Sequence, residues 1–144
     1  MFLDFRGIRL SGTSFHYSDF SHKGAKYRIG AISPEIVTAQ IVHLRLQLEA
    51  YIDVCPDFKD SLIPVKPAPN APEIARRMHR ASALTGVGPL AAVAGAIAEF
   101  SARACAETGE SDVIVENGGD IYLISTRERI VSLFAGTSSL SRRL

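Results

Sequence analysis

Gly86-Val87-Gly88-Pro89-Leu90-Ala91-Ala92-Val93-Ala94-Gly95-Ala96-Ile97-Ala98-Glu99-Phe100, a polar break at Thr108-Gly109-Glu110-Ser111, and Val113-Ile114-Val115-Glu116-Asn117-Gly118-Gly119-Asp120 decide how this chain folds. Gly88-Pro89 predicts a helix start, because proline loses no hydrogen bond in a first turn. The Ala, Gly and Val that follow favour a helix with a small-residue surface. Such a surface buries little area and is useful where something approaches the backbone, either another helix or a flat ligand. The amides after Gly86 and Gly88 stand at the positive end of that helix, where a phosphate or carboxylate is favoured. The spacing is not a P-loop, since no Gly-Lys-Ser/Thr follows. Nor is it a dinucleotide fingerprint, since no strand leads directly into it.

Val113–Asp120 reads as the first strand and tip of a hairpin. A three-residue loop Asn117-Gly118-Gly119 sets Val115 against Ile121, Ile114 against Tyr122 and Val113 against Leu123, which keeps a consistent apolar face. It also sets Glu116 opposite Asp120, a pairing that costs about 1 kcal/mol or less unless water, a cation or a ligand donor lies between the acids. A two-residue Asn-Gly loop would put Val115 against Asp120 and mix the faces. The tip is either a plain turn with solvated acids or a ligand-facing one, since its glycines permit close backbone approach.

Upstream, Ser14–Ser18 and Lys26–Ile32 alternate apolar with polar around Ser21-His22-Lys23-Gly24, which predicts an antiparallel hairpin within the strand-like stretch 5–32. His16 and His22 lack a carboxylate or cysteine partner in pattern and take no role. Ser33-Pro34-Glu35 predicts a helix with serine as its cap. Val37, Ile41, Leu44, Leu48, Tyr51, Ile52 and Cys55 make its buried stripe, with His43 as a packing residue at the edge, and Pro56 ends it. Residues 57–71, with Pro64, Pro67 and Pro69, read as a non-helical connection or a lid. A second helix follows from Asn70-Ala71-Pro72-Glu73, with Ile74, Met78, Ala81 and Leu84 inward, Arg76, Arg77 and Arg80 outward, and Thr85-Gly86 as its stop. Downstream, Arg129–Ala135 reads as a further strand, and Gly136-Thr137-Ser138 after it as a turn or an anion cradle.

The 144 residues amount to one domain, and 47% hydrophobic content supplies a core. A net charge of +1, with acids and bases interspersed, argues against a nucleic-acid or membrane partner. Two distant cysteines, Cys55 and Cys105, predict neither a zinc site nor a disulfide framework, so no metal ligand is assigned. No secretory signal is visible and the longest apolar run is too short to span a bilayer, so a cytoplasmic protein is expected.

The runs Gly86–Glu99, Val115–Tyr122 and Ala135–Ser141, together with Pro56–Leu62 and Pro72–Ile74, resemble the uncharacterised ApbE-like family of bacteria and archaea. They are more distantly similar to the ApbE-type transferases that move FMN from FAD onto a Thr or Ser of a partner protein, using magnesium. The resemblance implies an α+β, T-fold-like antiparallel sheet with helices on one face, one half of a tandem fold, over residues 1–144. It also places the glycine-rich helix start and Asn117–Asp120 at the flavin position. Two features depart from the transferases. There is no lysine between Leu84 and Ser101, and the chain ends before the Ala-Asp and Thr magnesium motif, as a fragment lacking the second half would. Magnesium is therefore expected only in a complete chain.

Two functions follow from these readings. In the first, the chain binds FAD, FMN or a related nucleotide or phosphorylated ligand through Gly86, Gly88, Gly95, Glu116, Asn117, Gly118, Gly119, Asp120, Thr137 and Ser138, with group transfer as the associated activity. In the second it is a non-catalytic binding or assembly module whose Ala/Gly helix is a packing seam. A homo-oligomer would supply the missing sheet neighbour. No Ser/Thr nucleophile or other catalytic residue can be assigned.

Overall fold

A computed structural model describes residues 14–132 and Thr137. In chain order it contains β1 (His16–His22), β2 (Ala25–Ala31), α1 (Pro34–Val54), the single turn α2 (Asp57–Asp60), α3 (Glu73–Thr85), a 3₁₀ turn over Pro89–Ala92, α4 (Val93–Ala106), β3 (Val113–Asn117) and β4 (Asp120–Ile124). The four strands form one antiparallel sheet in the order β1-β2-β3-β4. The expected α+β architecture of helices on an antiparallel sheet is borne out.

The first hairpin turns at Lys23-Gly24, with His22 paired to Ala25. Both turn residues take positive φ, 49° and 82°, as the right-handed twist of a two-residue hairpin requires. The central seam pairs Tyr27 with Asn117 and Ile29 with Val115. Side chains alternate across a strand, so Tyr27, Ile29, Ala31, Val113 and Val115 share one face, and all are buried there. Helix α4 lies on that face over β3 and β4, and α1 packs beside it. Val37, Ile41 and Leu44 from α1 and Ile97 from α4 fill the layer between, each side chain contributing about 1.5–3 kcal/mol of transfer free energy. The expected buried stripe of α1 holds from Val37 to Tyr51, while Ile52 and Cys55 are half-buried and His43 is exposed instead of packed.

Several expectations are corrected. The Ser33 side chain makes no capping bond. The Glu110 carboxylate accepts from the amides of Ile32 and Ser33, both at 2.8 Å, so a residue 77 positions away holds the entry to α1. The connection after Pro56 is not wholly extended, since α2 forms and drives Phe58 into the core against Tyr51 and His79. In α3, Leu84 is 87% exposed, and His79 and Ser82 take the buried positions beside Ile74, Ala75 and Met78. Gly86 does stop that helix, at φ +77° with its amide on the Ser82 carbonyl.

The Val113–Ile124 hairpin has neither loop that the sequence suggested. Gly118-Gly119 alone form the turn, at φ +61° and +102°, and Asn117 pairs with Asp120, Glu116 with Ile121 and Val115 with Tyr122. Glu116 and Asp120 therefore lie on opposite faces instead of facing each other.

After β4 the chain is tied down by Asp112, which accepts from Ser125 Oγ at 2.7 Å, Thr126 Oγ1 at 3.1 Å and Arg129 Nη2 at 2.6 Å. Burial works to raise the Asp112 carboxyl, but those donors and the arginine charge prevail and hold its pKa down to about 2. Residues 129–132 show no strand, and the remainder of the predicted strand at 133–135 lies outside the described residues, as does the predicted strand-like stretch before residue 14. No single helix among the described residues is long and apolar enough to cross a membrane.

Candidate functional site

The opening of α4 and the β3–β4 tip are joined by Asn117, whose Nδ2 donates to the Ala94 carbonyl at 3.2 Å. This buried amide locks the hairpin onto the first turn of the helix. Asp120, opposite Asn117 on the same face, is consequently held over Gly95. A methyl at Gly95 would stand 3.7 Å from Asp120 Oδ2, an ordinary contact, so the glycine leaves a gap without being sterically required. The gap belongs to a cleft of about 430 Å³ lined by Arg77, Gly95, Ala96, Glu99, Asp120 and Tyr122.

The polar wall of the cleft comes from three elements. Glu99 is largely buried in α4 and is bound by Arg77 from α3, Nε to Oε2 at 3.0 Å, and by Arg103 one turn on, Nη2 to Oε1 at 3.0 Å. A buried carboxylate needs such partners, since an unpaired one would carry its full desolvation cost. Arg103 Nε also donates to Tyr122 Oη at 3.1 Å, which ties β4 to the helix. With Glu99 occupied by two guanidinium groups, the cleft keeps Asp120 as its unpaired acid among the described residues, over a floor of Ala and Gly that Arg77 also borders.

Of the predicted ligand residues, the fold brings together Gly95, Asn117 and Asp120. Gly118 and Gly119 form the exposed tip beside them, and with Glu116 they border a shallow depression of about 280 Å³ on the other sheet face, next to Lys26 and Arg28. Gly86 is exposed at the end of α3, and Gly88 is buried under the connection, its α-carbon against the Ser61 carbonyl. Thr137 is exposed and Ser138 lies outside the described residues. The sequence reading missed Arg77, Glu99 and Tyr122 as cleft residues. The available signal was Glu99 itself, the one carboxylate in the small apolar run, which a helix buried on the sheet would have to pair with a cation.

Neither cysteine offers a nucleophile at this cleft. Burial, reinforced by the Glu110 carboxylate, pushes the Cys105 thiol up to about 12, and Cys55 sits at the far end of α1. Among the described residues no group of three or more His, Cys, Asp or Glu side chains converges as metal ligands would.

The family model described as AbpE bacteria matches residues 22–144. The chain belongs to that family. Its similar proteins include a UPF0280 protein of Methanothrix thermoacetophila, 45% identical over 107 residues that cover 74% of this chain and 45% of the relative. A UPF0280 protein of Methanocella arvoryzae is 36% identical over 132 residues, covering 85% of this chain and 54% of the relative. A third, from Methanococcus aeolicus, is 42% identical over 101 residues, covering 70% and 41%. The AbpE-family chain thus spans about half the length of the curated relatives it matches.

Proposed function

We propose that this AbpE-family chain binds a flavin or a related nucleotide in the cleft between the opening of α4 and the Asn117–Asp120 hairpin end. The observation that carries the reading is the bare backbone of Gly95 facing the Asp120 carboxylate over an Ala/Gly floor. A flat ring system can lie along the floor of Ala92, Gly95 and Ala96 beside the Asp120 carboxylate, because these residues present nothing larger than a methyl. Asp120 accepts from a ring N–H or a ligand hydroxyl, and Arg77, on the same cleft lining, meets an anionic group with the donors that Glu99 leaves over. The distant similarity to the FMN transferases supports a flavin as the ring and group transfer as the activity of the whole protein. Strand β4, last in the sheet among the described residues, carries both Asp120 and Tyr122, so a second half or a second copy adding a strand there would wall the cleft.

The competing reading, a packing seam in an assembly module, is favoured by Ala98 and Ala102, both fully buried on the same helix. Gly95→Leu separates the two. Under the binding reading, FAD or FMN raises the melting temperature of the native chain, and the variant stays folded but loses that shift. Absence of a shift with every flavin in the native chain sinks the binding reading. A variant that loses its fold or its assembly state supports the seam.

A further inference from the structure

Lys66, Arg76 and Arg80 meet across a groove of about 450 Å³ between the proline-stiffened connection and α3, and no carboxylate lines it. We propose that this groove binds a phosphate monoester carried on an apolar body, with these three cations holding the phosphate. The site goes beyond the flavin reading and lies on a different side of α3. Arg76, His79 and Ala83 face the groove, whereas Met78 and Ala81 face the Asp120 cleft.

The connection is fixed over α3 by specific bonds. His79 is buried and its Nδ1 donates to the Val65 carbonyl at 2.8 Å; because a carbonyl only accepts, Nδ1 carries the proton. Its Nε2 is 3.2 Å from Tyr51 Oη, which in turn accepts the Ala68 amide at 3.0 Å. Both ends of the Val65–Ala68 segment are therefore anchored, which sets Lys66 opposite the helix. Arg76 Nη2 donates to the Pro69 carbonyl at 3.0 Å, so that guanidinium is oriented while its other donors stay available. Arg80 and Lys66 have no hydrogen-bond or ion-pair partner among the described residues.

Arg76 and Arg80 stand one turn apart on the same helix face, where like charges repel. Three cations line this groove with no acid on its wall, Arg80 also bordering the neighbouring pocket of Glu73, Glu99 and Glu107, and a bound dianion relieves the repulsion among them. Arginine forks bind the paired oxygens of a phosphate or a carboxylate, and three cations suit a phosphate dianion better than a carboxylate monoanion. The remaining wall is apolar, formed by Pro64, Val65, Pro67 and Ala83, and suits the body of an ester better than free phosphate.

Calorimetric titration of the full chain with phenyl phosphate, inorganic phosphate and benzoate tests the proposal. Phenyl phosphate is expected to bind saturably and more tightly than the other two. Arg80→Ala and Lys66→Ala are each expected to weaken it by about tenfold or more, as for loss of a charge-assisted contact, with the circular dichroism of both variants unchanged. No saturable binding, or equal affinity in the native chain and both variants, overturns the site. Benzoate binding as tightly overturns phosphate as the recognised group, and inorganic phosphate binding as tightly overturns the apolar body. Because Gly95 is remote from this groove, Gly95→Leu leaves phenyl phosphate binding in place even where flavin binding fails.

Discussion

Replacing Gly88 by alanine isolates a single steric contact. At φ −61° and ψ 150° the backbone there is extended and open to any residue, so alanine brings no conformational strain of its own. Its new methyl would overlap the Ser61 carbonyl oxygen and stand 2.8 Å from the Ser61 carbonyl carbon and 3.1 Å from Leu62 Cα. All three atoms are backbone, so no rotamer change relieves the clash, and the connection has to lift from the start of the α4 segment. Overpacking of this kind costs about 1–3 kcal/mol, and the high end applies because the obstacle is main chain. The alanine also narrows the unfolded ensemble, which offsets about 0.4–1 kcal/mol. A net loss of about 2 kcal/mol lowers the melting temperature by roughly 8 °C for a domain of this size. Thermal unfolding followed by circular dichroism reads the change. Gly95→Ala is the matched control, because its methyl meets only Asp120 Oδ2 at 3.7 Å, and alanine favours the helix by about 0.5–1 kcal/mol. Gly88→Ala is therefore expected to melt lower than the native chain and Gly95→Ala slightly higher. Equal melting of Gly88→Ala and the native chain would refute the close approach of the connection.

Glu110→Ala removes the acceptor shared by the Ile32 and Ser33 amides, and a loss of about 2–3 kcal/mol is expected in urea unfolding, with Glu110→Gln recovering part of it. Asp112 gives a pH dependence of known sign. Its folded pKa is depressed to about 2 from 3.8, so its stabilisation is complete above the unfolded value and is lost as pH falls from about 4 toward 2. Asp112→Asn should be less stable than the native chain at pH 6 and lose less on acidification through that window, as followed by urea midpoints at each pH.

Much of the helical layer was legible because its signals are local. The three- and four-residue spacing of Val37, Ile41, Leu44, Leu48 and Tyr51 leaves one face for burial, and Gly86 marks the end of α3 by its left-handed conformation. The β3–β4 register was not legible, because Val113, Ile114 and Val115 are all buried, which erases the period-two alternation that would fix the pairing. Leu84 failed as a core residue since α3 packs on the Pro89–Ala92 turn, α4 and α1 and leaves its last turn exposed, and the Ser82 hydroxyl is spent instead on the Val87 carbonyl. In the cleft, the Gly95 and Asp120 residue types stood out in the sequence. Arg77 did not, because its pairing with Glu99 depends on how two helices cross, and no short-range pattern encodes that crossing. Glu110 was invisible as a clamp for the same reason, since its partners are main-chain amides far upstream.

The β2–β3 seam has a consequence for how the chain assembles. Each hairpin closes over a two-residue turn, a contact of minimal sequence separation that forms in about 1–10 μs. The seam between them, Tyr27 with Asn117, joins strands separated by all of the helices, so its loop entropy must be met before any of its bonds form. The sheet is thus two fast hairpins awaiting one slow union. In pulse-labelled hydrogen exchange the amides of Arg28–Gly30 facing β3 should become protected last.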